Sequence, residues 1–208
     1  MSDRPDAETI VRTHLKPRPL PSLPGLSAYL AHSGSRLSRL ERDEAPYWAY
    51  AWAGGLALAL YVQDHPETVA GKAVLDFGSG CGLVGISAAK AGAAKVYATD
   101  LDPLAIAATT LNAELNGVAI TVLDPADPLP RLDLVLAGDV HYHPDVATTA
   151  TAALDGFLAQ GIEVLVGDPH RADLPQHRLC AIADLDVPDF GAPGGTTGHA
   201  SVFSLIPA

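Results

Sequence analysis

The segment 76–85 reads DFGSGCGLVG, with four glycines in the eight residues from Gly78 to Gly85. Gly78, Gly80 and Gly82 let the backbone turn tightly and approach a ligand closely. A helix beginning at 82 would aim its free N–H groups at the same place. Such a loop suits a nucleotide, and two cofactors compete for it. Gly80 to Gly85 match the dinucleotide pattern G-x-G-x-x-G, and Asp100, 20 residues past Gly80, stands where that pattern puts its ribose acid. Asp76 argues against a dinucleotide, because a pyrophosphate at this loop would face a carboxylate in a half-buried site. S-adenosylmethionine carries a sulfonium and an ammonium group, which a carboxylate attracts. The residues therefore favour S-adenosylmethionine, with a nicotinamide cofactor as the alternative. Asp100 can accept ribose hydroxyls from either. Asp124, in LDPADP, is placed for an adenine amino group or for an ordinary turn before Pro125.

A second constellation is GDVHYH, 138–143. Ligands of open parallel sheets gather at the carboxyl ends of the strands. Asp139 and Tyr142 are three apart, so a tight turn would bring both inward, where a carboxylate and a phenol together can hold an amine. His141 and His143 invite a metal reading with Asp139 and His170, but the count and spacing are unspecific and no metal is expected. His141 could also serve as a general base, or simply as a loop histidine.

These groups need a scaffold that presents strand ends on one edge. Strand-like runs fall at 73–77, 95–99, 119–123, 132–137 and 162–167, and helical runs between them at 82–91, 103–116 and 144–160. Asp102 and Pro103 make a good helix start, and Gly117 and Gly161 good stops. This alternation predicts a parallel α/β sheet. Two further strand-like runs, 182–187 and 201–206, are joined by the Gly- and Pro-rich FGAPGGTTGH and lack a helix between them. They predict a closing antiparallel pair. The fold class expected is a Rossmann-like seven-stranded sheet in the order 3-2-1-4-5-7-6. Ahead of it, 56–64 reads as a helix, while the proline-broken residues 1–45 read as an extension packing on the core, with helices at 8–15 and 26–40.

Composition narrows the classes. Of 208 residues, 48% are apolar and 18% charged, which suits a globular chain. Lysines and arginines number 13 against 24 acids, a net charge of −11. That field repels phosphate backbones, so no nucleic-acid partner is expected. Two cysteines, Cys81 and Cys180, make no disulfide framework. No signal peptide or membrane span is apparent, and a cytoplasmic protein is expected.

With these motifs in place, the chain resembles the seven-β-strand protein-lysine methyltransferases. Within them it is most similar to the branch acting on the electron transfer flavoprotein β-subunit, with its bacterial relatives. The resemblance runs from about Pro46 to the C-terminus and rests on PYWAYAWAGG (46–55), GKAVLDFGSGCG (71–82), ATDLDPLA (98–105), the LN at 111–112 with ELN at 114–116, GDVHY (138–142) and GDPHR (167–171). It implies that Trp52 lies over S-adenosylmethionine and that Asp76, Gly78, Gly80, Gly82, Asp100, Leu101 and Asp124 bind it. It implies that Asp139 and Tyr142 position the acceptor, a lysine of a partner protein. Two residues depart from the family: an aromatic commonly stands at His141, and a small residue is expected at His170. Both fall on the acceptor rim, so a small-molecule, nicotinamide-like N-methyltransferase stays an alternative, as does an inactive cofactor-binding module.

Overall fold

The computed structural model describes residues 6–40, 42, 45–124, 128–188 and 197–207. In chain order the elements are α1 (Ala7–His14), β1 (Lys16–Pro19), β2 (Ser27–Leu30), α2 (Ala53–Asp64), β3 (Ala73–Phe77), α3 (Leu83–Lys90), β4 (Lys95–Thr99), α4 (Pro103–Leu115), β5 (Thr121–Val122), β6 (Leu134–Gly138), α5 (Pro144–Leu158), β7 (Glu163–Asp168), β8 (Leu179–Pro188) and β9 (Thr197–Leu205). β1 and β2 form a small antiparallel hairpin of their own. The other seven strands make one sheet in the order β5-β4-β3-β6-β7-β9-β8. The first five are parallel, and β9 runs antiparallel to both β7 and β8. Renumbered from β3, this is the expected order 3-2-1-4-5-7-6.

Both faces of the sheet are covered, so the central strands are apolar throughout and successive residues serve opposite layers. Leu134 and Leu136 of β6 pack with Leu56, Leu58 and Ile86 from α2 and α3. Val135 and Ala137 pack on the other side with Leu154 and Phe157 of α5. Among the described residues no helix is long and apolar enough to cross a membrane.

α2 begins three residues before the expected 56, because its first turn contains Gly54 and Gly55. Glycine is a poor helix former, but here it is a packing requirement. A Cβ at Gly54 would lie 2.2 Å from the Gly167 carbonyl oxygen, and one at Gly167 would lie 2.2 Å from the Gly54 oxygen. One at Gly138 would lie 2.7 Å from Gly55 Cα. The start of α2 therefore sits directly on the ends of β6 and β7.

The helix expected over 26–40 does not form. Residues Ser27–Leu30 are strand β2, and only a single 3-10 turn, Leu37–Arg39, follows. The reason is tertiary. Asn116 Nδ2 donates to the Ser27 carbonyl (2.6 Å) and its Oδ1 accepts from the Ser27 N–H (3.1 Å). Asn112 Oδ1 accepts from the Tyr29 N–H (2.7 Å). Two side-chain amides of α4 thus stand in for a neighbouring strand, and the backbone extends to meet them. Leu20, Leu23 and Leu26 from the same region are buried in the core layer of α2 and α3. β5 is shorter than the expected 119–123, whereas β8 and β9 are longer than expected. Residues 190–196 of the linker joining them, and Pro125, lie outside the described residues.

Candidate methyl-transfer site

The cofactor edge lies where β3 and β4 end. Gly78, Gly80 and Gly82 all take positive φ, at 68°, 53° and 78°. The N–H groups of Gly78 and Ser79 donate to the Thr99 carbonyl, which ties the loop to β4. Asp76 is buried, and its Oδ2 accepts from the Gly85 N–H (2.8 Å). Burial, with Asp100 adding repulsion, pushes its carboxyl up to about 7. Asp100 accepts from the Gly80 N–H (2.9 Å) and the Asp102 N–H (2.9 Å), and burial raises it as well. Among the described residues neither carboxylate has an ion-pair partner, whereas Asp102 beside them has Arg42 at 2.8 Å.

One buried and one half-buried carboxylate, without a cation among the described residues, suit a ligand that brings positive charge and hydroxyl groups. Leu101 is 85% exposed, an apolar side chain offered next to Asp100. Asp124 is exposed two residues past β5. The donor set and the tight approach at Gly78, where a Cβ would meet Val140 at 3.0 Å, fit S-adenosylmethionine.

The candidate acceptor edge lies where β6 and β7 end. Asp139 adopts φ 57°, a left-handed conformation that Asp tolerates better than most residues, and this turns its carboxylate inward. Its Oδ2 accepts from the Gly55 N–H (2.7 Å), and its Oδ1 pairs with Arg171 Nη2 (2.7 Å). Burial raises its pKa, while Arg171 and the α2 N–H groups oppose the rise. Asp168 is also buried; its Oδ1 accepts from the Arg171 N–H (2.7 Å), and burial pushes it to about 6. Asp168 Oδ2 and Arg171 Nε are buried without a hydrogen-bond partner.

Trp52 caps the start of α2 and joins the two edges. Its indole N–H donates to the Tyr47 carbonyl (2.8 Å), and its ring packs against Tyr47 and Tyr50. Tyr50 in turn offers its carbonyl to Cys81 Sγ in the glycine loop (3.3 Å). Tyr47 lies 4.5 Å, centroid to centroid, from Tyr142. Asp139 is buried at the turn after β6, and Tyr142 is 37% exposed against Tyr47.

His141 is removed from the acceptor rim. It is fully buried, with Nε2 against Thr151 of α5 (3.3 Å) and Nδ1 unpartnered. Desolvation lowers its pKa to about 4, too low for a useful base at neutral pH. His143 is exposed at the start of α5. His170 has φ 63°, which accounts for the small residue expected there. Arg171 and Asp168 stand within GDPHR, and their types alone assign neither a role. The available signal was the Asp-x-x-Arg spacing after a strand, the mark of an Asp side chain capping a turn. The pairing of Arg171 with Asp139, 32 residues away, has no local signal.

The sheet order and the loop after its first strand define a class I methyltransferase fold. The tRNA (uracil-54, C5)-methyltransferase of Pyrococcus abyssi, solved with S-adenosyl-L-homocysteine, shares the fold with a TM-score of 0.55 at 16% identity, over 93% of this chain and 44% of that one. The sequence profile of the lysine methyltransferase family matches residues 37–179. The chain belongs to that family, whose methyl donor is S-adenosylmethionine, so the dinucleotide alternative falls. It is 39% identical over 161 residues to the electron transfer flavoprotein beta subunit lysine methyltransferase of Rattus norvegicus, covering 69% of this chain and 60% of that protein. The Mus musculus protein of the same name is 42% identical over 144 residues, covering 64% and 54%. The chain thus spans only about three fifths or less of the length of these relatives.

Proposed function

We propose that this chain transfers a methyl group from S-adenosylmethionine to lysine side chains of a partner protein, and that the partner is the electron transfer flavoprotein β-subunit. The partner is taken from the names of the relatives. The observation that carries the protein substrate is the open aromatic surface between the start of α2 and the loop after β6, where Tyr47 and Tyr142 meet and are 41% and 37% exposed. A small-molecule enzyme would gain from a cover over this surface. The β1–β2 hairpin is instead bonded to Asn112 of α4, to Asn116 at its C-cap and to Arg12 of α1. A lysine stem can lie along exposed rings while its nitrogen reaches inward. In this reading residues 46–208 form the methyl-transfer domain and the residues before them are built onto it. Two unpaired thiols, Cys81 and Cys180, suit the cytoplasm.

S-adenosylmethionine supplies a methyl group on a positively charged sulfur, open to in-line attack. Asp76 balances the positive charge of the bound donor, and Asp100 holds the ribose. Trp52 and Leu101 would cover apolar parts of the bound donor, and Asp124 would accept from its adenine amino group. The attacking amine must be neutral, and at pH 7 deprotonating a lysine of ordinary pKa costs about 4.6 kcal/mol. Asp139 does not help that step, since a carboxylate favours the charged amine. Its work is orientation, and stabilisation of the cation that forms as the methyl arrives. Buried His141 takes no part, so the proton leaves to solvent. Holding the amine in line supplies much of the acceleration, up to about 7–11 kcal/mol.

The test is transfer of radiolabelled methyl into purified flavoprotein β-subunit, with Asp139→Asn as the variant. The amide keeps an acceptor for the Gly55 N–H, so the fold is expected to survive. Transfer should be abolished with affinity for S-adenosylmethionine within a few-fold of the parent. If the affinity collapses as well, Asp139 belongs to the cofactor edge. If label enters only small molecules, the protein-substrate reading fails.

A further inference from the structure

Three side chains from three segments converge beside the outer hairpin of the sheet, and methyl transfer uses none of them. His170 lies two residues past β7, Asp184 is on β8 and His199 on β9. Their candidate ligand atoms all lie within 4.8 Å of one another, and all three side chains are exposed. The cross-strand register fixes two of them. Asp184 is opposite Ser201 and Asp186 opposite His199, so the four residues share one face of the hairpin. Ser201 is buried beneath them; its Oγ bonds His170 Nε2 (2.8 Å) and donates to Asp184 Oδ1. The two imidazole rings are parallel within 4°, with centroids 6.0 Å apart, and Phe203 meets His170 edge-on at 5.5 Å.

A surface hydrogen-bond network explains part of this arrangement. It does not require two imidazoles side by side. Nor does it require a histidine at φ 63°, a backbone conformation that non-glycine residues rarely adopt. We propose that His170, Asp184 and His199 form a binding site for a divalent transition-metal cation, with zinc as the ligand. Two imidazoles and one carboxylate make the three-ligand set of an open zinc site, the fourth position being left to solvent. Calcium and magnesium prefer all-oxygen sets and are excluded by this chemistry. The outer contacts are also present: Asp186 lies 3.5 Å from His199 Nδ1, and Ser201 holds both His170 and Asp184. Such partners orient metal ligands. The exposed side chains have room to close on bonds of about 2.0–2.2 Å. Because His170 directly precedes Arg171, a bound cation would fasten the segment that holds Asp139 to the hairpin.

The experiment is calorimetric titration of zinc into the full, tag-free chain after metal stripping, with melting temperature as a second readout. One equivalent should bind, and zinc should raise the melting temperature. His170→Ala and His199→Ala should each abolish both effects, and Ser201→Ala should weaken binding by about tenfold. Calcium should give neither effect. Should an alanine variant fail to fold, Asp184→Asn, which removes only charge at an exposed position, replaces it with the same expected loss. Wild-type binding no tighter than that of the His170→Ala/His199→Ala double variant, whether weak or strong, overturns the proposal, since any metal would then sit on other histidines.

Discussion

Where β3 and β4 end, the site is made by near neighbours in the chain. Asp76 bonds Gly85, 9 residues on, and Asp100 bonds Gly80, 20 residues back. Where β6 and β7 end, the partners are distant. Asp139 meets Gly55 across 84 residues and Arg171 across 32. The first edge is a local backbone device that any chain with the right glycines and acids can form. The second exists only once α2 has docked on the sheet. One edge can therefore be read as a motif, and the other only as a contact map. They also differ in charge. The cofactor edge leaves its carboxylates for a ligand to balance, while the acceptor edge brings its own cation in Arg171.

The comparison breaks most readily at the dock itself. Gly167→Ala should cost about 3 kcal/mol or more, because backbone meets backbone and no side chain can give way. Urea unfolding would show it, and a wild-type midpoint would mean the acceptor edge does not depend on α2. Next comes Asp76→Asn, which should weaken S-adenosylmethionine binding by about 1.5–3 kcal/mol with the fold unchanged. Parent affinity should rise as pH climbs through about 7, since the ligand requires the carboxylate, and the variant should be flat. Stability of the free protein should run the other way. A carboxyl raised from 3.8 to about 7 contributes stability that is present below 3.8 and lost as pH rises through 7. Parallel pH profiles for parent and variant would remove Asp76 from the charge argument. The smallest effect expected is from Asn112→Ala, about 1–3 kcal/mol, since it leaves the Tyr29 N–H and the Cys81 carbonyl without this partner. An unchanged melting temperature would show that the hairpin holds by its leucines and Asn116 without Asn112.

Much of the fold was legible because its signals are local. Strands β3 and β4 stand where their apolar runs stop at glycine and aspartate, and Asp102 and Pro103 open α4 as their types demand. The misread segment, 26–40, carries no local information that it is extended. Its conformation is set by Asn112 and Asn116, which are ordinary helix residues until β2 lies against them. Asp139 was legible as an inward carboxylate, but its occupation by Arg171 was not. The ring that Tyr142 meets, Tyr47, stands about ninety-five residues earlier in the chain, a contact with no local signal.

The bond between Tyr29 and Asn112 spans 83 residues, and this has a consequence for biosynthesis. At about 5–20 residues per second, the ribosome needs roughly 4–17 s to make α4 after β2 has been polymerised. Through that interval the Ser27–Leu30 backbone lacks the side-chain amides that hold it extended, and Leu20, Leu23 and Leu26 can rest only on α2 and α3, which are made earlier. The β1–β2 hairpin is therefore secured well after it is made, and slow translation through α4 would tax the yield of folded protein more than its final stability.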